Sequence, residues 1–117
     1  MTHTATRTPQ RIEFLTDIYT TGLEGGINYW ATVTSYQHTT QQLATITDNH
    51  DDEHPHTIDL NTIARGIRAI TTHRVHTNPA HRQRIAAADR AHDAADLDAA
   101  DADAIIQAAL FGEIRYG

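Results

Sequence analysis

The chain of 117 residues has no cysteine, no lysine and a single serine, Ser35, and each absence closes a class of chemistry. Without cysteine there are no disulfides, no thiolate nucleophile and no Cys-based zinc site. With one serine, any serine nucleophile has to be Ser35, and nothing in the local sequence supplies it with a base. A Gly-x-x-x-x-Gly-Lys phosphate loop, a Gly-x-Ser-x-Gly elbow and a His-Glu-x-x-His pair are all missing. No apolar run approaches the roughly 20 residues that span a bilayer, and Met1 to Arg7 lack the apolar centre of a signal peptide. These absences predict a cytoplasmic protein with no membrane partner, no cofactor, no metal and no catalytic residue. The length fits one modest core, so a single domain over residues 1–117 is expected, with 1–7 flexible.

What is present is strongly patterned in charge. The net charge is −6 with histidines neutral, which makes nucleic acid a poor partner for the surface as a whole. Yet six of the nine arginines (Arg65, Arg68, Arg74, Arg82, Arg84 and Arg90) fall in one stretch with a single acid, Asp89. Acids flank it on both sides, from Asp48 to Asp59 and from Asp93 to Asp103. Such blocks are either solvated faces that neutralise one another or a basic patch able to hold phosphate. Arginine is the residue suited to bidentate phosphate and carboxylate contacts.

Spacing predicts an α+β fold: an N-terminal helix, a small antiparallel sheet of two or three strands, then three helices. Thr8 and Pro9 open the first helix as N-cap and first helical residue. Ile12, Leu15, Ile18, Tyr19 and Leu23 then recur at helical spacing, and Gly22 or the Gly25-Gly26 pair ends the helix. The aromatic and β-branched run Tyr29 to Tyr36 reads as a strand, with Tyr29, Ala31, Val33 and Ser35 on one face and Trp30, Thr32, Thr34 and Tyr36 on the other. Leu43 to Thr47 and Thr57 to Leu60 read as two shorter strands separated by a polar loop over 48–56. A helix capped by Asp59 or Asn61 carries Ile63, Ile67 and Ile70 on one face, and a second runs from about Ala80 to His92 after Asn78-Pro79. The last starts near Asp96 or Asp98 and ends at Gly112. Half the residues from Ala86 to Ala109 are alanine, so two helices are expected to pack closely there.

Three motifs in order, Leu23-Glu24-Gly25-Gly26-Ile27-Asn28-Tyr29-Trp30, Ile58-Asp59 followed by Ile63-Ala64-Arg65-Gly66, and Asp101-Ala102-Asp103-Ala104-Ile105-Ile106-Gln107 running into Leu110-Phe111-Gly112-Glu113-Ile114-Arg115-Tyr116-Gly117, cover most of the chain. In these the sequence resembles a family of small proteins carried by phages and mobile elements of actinobacteria, whose members have no established activity. The chain departs from the family pattern at Asn28, where a small residue is usual, at Ala108 and Ala109, where bulkier apolar residues stand, and in its histidine-rich segment. The resemblance implies an accessory protein, acting in the host cytoplasm and in counter-defence, that binds or blocks something belonging to the host.

The remaining motifs carry weaker chemistry. His50-Asp51-Asp52-Glu53-His54-Pro55-His56 holds ligand types suited to a divalent metal, but no rigid scaffold fixes a geometry. The aspartates from Asp93 to Asp103 lack the calcium-loop pattern and read as helix-start acids. Binding is the function that remains. The leading expectation is a site for a nucleotide-like small molecule built from Asn28, from Tyr29, Trp30 and Tyr36 for stacking, and from Arg65 and Arg68, three residues apart on one helix face, for phosphate. The alternatives are an acidic inhibitor that offers its aspartates to a host protein as a nucleic-acid mimic, and a DNA-binding module on the 60–92 helices. Phe111, Ile114 and Tyr116 either cap the core or form the interface of a homo-oligomer.

Overall fold

The computed structural model describes residues 7–117; the expectation of a flexible start concerns, apart from Arg7, residues outside that range. Helix α1 (Pro9–Thr21) begins as its sequence requires, with the Thr8 hydroxyl accepting from the Arg11 amide at 3.1 Å. It buries Phe14, Leu15, Ile18 and Tyr19. Ile12, expected on that face, is 42% exposed, and Phe14 takes its place in the core. In the first turn Ile12 lies beyond the body of the core, beside Leu60 and Gln41 in a surface groove.

The α-helix ends at its C-cap Gly22, one of the two expected ends. The chain does not turn away there but widens into one π turn, Gly22–Gly26, in which the Ile27 amide donates to the Gly22 carbonyl at 3.0 Å. Neither Gly25 nor Gly26 has positive φ. Gly26 is small because another helix crosses it: a Cβ there would stand 2.8 Å from the Ala99 carbonyl oxygen.

Strands β1 (Ala31–Gln37), β2 (Leu43–Asp48) and β3 (Asp51–Asp59) form an antiparallel sheet in the order β1-β2-β3. A bulge between Val33 and Ser35 breaks the alternation expected for β1. Tyr36 thereby turns half-buried toward the core beside Tyr19, while Thr32, Thr34 and Ser35 stay exposed. The predicted loop over 48–56 is largely strand. The Asp48 carboxylate accepts from the His50 amide at 2.9 Å and closes a tight turn, after which β3 pairs with β2 as far as Leu43↔Asp59. Ladder pairing overrides the low strand propensity of this acidic, histidine-rich segment. Pro55 is tolerated because β3 is an edge.

Helix α2 (Leu60–Thr71) starts at Asp59 in a reciprocal capping box with Thr62 and buries Ile63, Ile67 and Ile70. Helix α3 (Pro79–Ala91) is capped by Asn78. Helix α4 (Ala99–Phe111) is capped by Asp98, boxed with Asp101, and ends at Gly112 with φ 68°. The α+β order is therefore the expected one. The close packing differs from expectation, since α4 lies mainly against α2 and the π turn, and α3 leans on α2. Gly66 makes that crossing, because a Cβ there would fall well inside contact with the Ile105 carbonyl.

Helix α4 is the centre of the molecule. Every residue from Asp101 to Ala108 is buried. No helix of the described residues is long and apolar enough to cross a membrane.

The glycines give a direct test by urea unfolding. Gly66→Ala should destabilise by about 2 kcal/mol or more, because the crossing backbones have to separate. Gly25→Ala, where a Cβ meets nothing within 4 Å, should be neutral or stabilising by up to about 1 kcal/mol.

Candidate functional site

Of the aromatic half of the expected site, Trp30 is folded into the core. Trp30 is 1% exposed, stacked on Tyr116 (centroids 5.2 Å apart, 19° between planes) and tilted against Phe111 at 5.4 Å. Its indole N–H donates to Asp103 Oδ1 at 2.8 Å. Tyr29 is 55% exposed, yet its hydroxyl donates to Asp103 Oδ2 at 2.5 Å. Burial and then the Asp103 hydrogen bond push this phenol up to about 12, so it stays a neutral donor. Asn28 is exposed and reaches back to the Leu23 carbonyl at 3.4 Å. The Tyr36 hydroxyl donates to Glu24 at 2.6 Å. Phe111, Ile114 and Tyr116 pack against the core and cap it.

The arginine half stands elsewhere. Arg65 and Arg68 are exposed on α2 and line a groove of ≈ 280 Å³ with Arg74 and Val75, over a floor of Ala69, Ala108, Ala109 and Gly112. None of residues 28–36 reaches it, so the expected composite of stacking rings and paired arginines is not assembled. A third arginine that the sequence reading had left out of the site arrives instead. After α2, His73 adopts φ 62° and turns the chain back, with the Arg74 and Val75 amides both donating to the Ala69 carbonyl at 3.0 and 3.1 Å. Buried Val75 anchors the turn, and the Arg74 Nε–H donates to the Thr72 hydroxyl at 3.2 Å. The helix-terminal Schellman pattern could have flagged it, but glycine usually marks that position and here histidine does.

Among the described residues, Arg65, Arg68 and Arg74 pair with no acid, and no acid lines the groove. Three of the other six differ: Arg11 pairs with Asp89, Arg84 with Asp101 and Arg115 with Glu113. Three uncompensated guanidinium groups around a floor of small apolar residues can take a flat group bearing negative charge.

The acids missed by the sequence reading are the internal ones. Asp101 is fully buried and is held by Arg84 and His81 of α3 and by the Asp98 amide. Burial alone would raise its carboxyl, but Arg84, His81 and the amide outweigh that and leave it below the usual carboxylate range. At Asp48, too, burial is outweighed by the His50 amide and the Tyr116 hydroxyl, and the carboxyl is lowered. Asp103 and Gln107, one helical turn apart, form the third buried group. Gln107 donates to Asp103 at 2.9 Å and accepts from the Arg115 and Tyr116 amides at 2.8 and 2.9 Å, which ties residues 115–116 to α4.

The histidines of the 50–56 segment are dispersed. His50 stacks on Tyr116, His54 meets Asp51 at 3.0 Å, and His56 sits edge-on to Phe111. Among the described residues, no three His, Cys, Asp or Glu side chains group as a metal site. Compared with known proteins, the chain matches no family model, no curated protein and no solved structure.

The lowered carboxyls set the direction of acid sensitivity. A folded value below the unfolded one means that the unfolded chain binds more protons, so stability rises with pH through that window. The contribution of Asp48 and Asp101 is full above about pH 4 and is lost as pH falls through their lowered values. Asp101→Asn should cost about 2 kcal/mol at pH 7 and should flatten the fall in stability below about pH 4, as measured by urea titrations across pH.

Proposed function

We propose that the protein is a non-catalytic binding module that holds a small phosphate-bearing molecule of nucleotide type in the Arg65, Arg68 and Arg74 groove. The observation that carries this reading is the convergence of three arginines, unpaired among the described residues, on one concave surface with no acid in its lining. Phosphate oxygens would accept from the guanidinium forks. The planar part of the ligand would lie on the Ala108, Ala109 and Gly112 floor, flanked by Val75 and by the flat face of an arginine. Trp30 has no part in this contact, being occupied by Tyr116, Phe111 and Asp103. The resemblance to phage and mobile-element proteins gives such binding a purpose, the sequestering of a host signalling nucleotide.

The groove supports this reading over the other two. Of the five aspartates that would mimic a nucleic acid, Asp101 and Asp103 are buried, which leaves Asp93, Asp96 and Asp98 on the surface. On α3, Arg84 is committed to Asp101, and Arg82 donates to the Thr77 carbonyl, so the 60–92 helices do not offer one continuous basic face.

Isothermal titration with linear and cyclic nucleotides, and with adenosine as the uncharged control, tests the proposal. Binding is expected for a phosphorylated member and not for adenosine. Arg65→Ala and Arg68→Ala should each weaken it about tenfold, or about 1.4 kcal/mol. No heat at high micromolar protein with any phosphorylated compound, or equal affinity in the arginine variants, would overturn it.

A further inference from the structure

A second cleft, of ≈ 390 Å³, opens where the loop before α3 faces the first turns of α4, and it shares no residue with the arginine groove. Its walls include His76, His81, Ala100, Asp103, Ile114 and Tyr116. Neither lysine nor arginine is among its lining residues.

The three buried acids of the described chain are compensated unequally. Asp101 has Arg84 and His81, and Asp48 has His50 at 3.4 Å. Asp103, 7% exposed, has no ion-pair partner among the described residues; its donors are the Tyr29 hydroxyl, the Trp30 indole and the Gln107 amide, all neutral. Buried carboxylates are ordinarily matched by a cation. Among these three, Asp103 is also the one that borders this cleft. Across from it, His81 has its Nδ1 engaged with Asp101. His81 Nδ1 also lies 3.1 Å from Arg84 Nη2, so both neighbours of this nitrogen belong to the Asp101 group. A cleft with no lysine or arginine in its lining, bordered by a buried carboxylate that only neutral donors meet and walled by Ala100, Ala104 and Ile114, matches an alkyl chain ending in a hydrogen-bond donor of positive charge.

We infer that this cleft binds a primary alkylammonium group, with Asp103 as its counter-ion. The group can belong to a free amine or to the N-terminus of a peptide, because the chemistry recognised is the same.

Trp30 is the only tryptophan and donates directly to Asp103, so its indole N–H resonance reports on the site by itself. Titrating ¹⁵N-labelled protein with n-butylamine at fixed pH and ionic strength should move the lone indole cross-peak saturably, while n-butanol, its uncharged counterpart, should not. Alaninamide distinguishes the sources: tighter binding than butylamine assigns the site to peptide N-termini, and weaker binding assigns it to free amines. Asp103→Asn should weaken butylamine binding at least tenfold. Ala100→Phe, at an exposed position on the rim, should do the same by filling the cleft while leaving the network beneath it intact. An indole peak that stays still, that moves equally with butanol, or that responds unchanged in Ala100→Phe would overturn the inference.

Discussion

A helix that carries two carboxylates and a carboxamide through the middle of an apolar core is stable only when each polar atom is answered inside the protein. That constraint shapes most of this molecule. Asp101 draws α3 onto α4 through His81 and Arg84. Asp103 draws Tyr29 and Trp30 inward from the turn before β1. Gln107 ties the segment after Gly112 back against the core, and Tyr116, held there, reaches Asp48 at the end of β2. Three separate parts of the chain are thus positioned by hydrogen bonds to α4, and a fourth, the end of β2, by way of Tyr116. Hydrophobic burial supplies the drive, and these polar groups fix which segment goes where.

The elements legible in the sequence were those with local causes. Thr8-Pro9, Asp59 and Asp98 are caps that act within three residues, and the spacing of Ile63, Ile67 and Ile70 specifies one buried face. What escaped was decided by partners distant in sequence. The 48–56 segment looks like a loop by composition and becomes a strand because β2 supplies the ladder. Tyr36 changes face because of a bulge that no alternation rule contains. Gly25 and Gly26 read as a candidate helix end, but nothing about adjacent glycines reveals a π turn in which Gly26 alone is kept bare for another helix. The aspartates of 93–103 look alike in sequence, and their fates diverge with position on α4: Asp98 caps it, Asp101 and Asp103 enter it.

The candidate site was half legible for the same reason. Arg65 and Arg68 share a helix face by spacing alone, and they do line one groove. Trp30 was the wrong companion, since a large ring with one polar handle is equally suited to a pocket wall and to a core that offers a buried carboxylate. Arg74 reaches the groove only through a left-handed residue and two amides sharing the Ala69 carbonyl, a geometry set after the helix ends.

The bare crossing at Gly66 has a consequence for recognition. Gly66 follows Arg65 directly and precedes Arg68 by two residues, so the backbone that bears both guanidinium groups is locked against the helix that supplies the Ala108 and Ala109 floor. Two helices in backbone contact cannot slide or open without losing that contact. The backbone of the groove's two helical walls is therefore preorganised, and on the proposed reading the ordering entropy of binding falls on the arginine side chains.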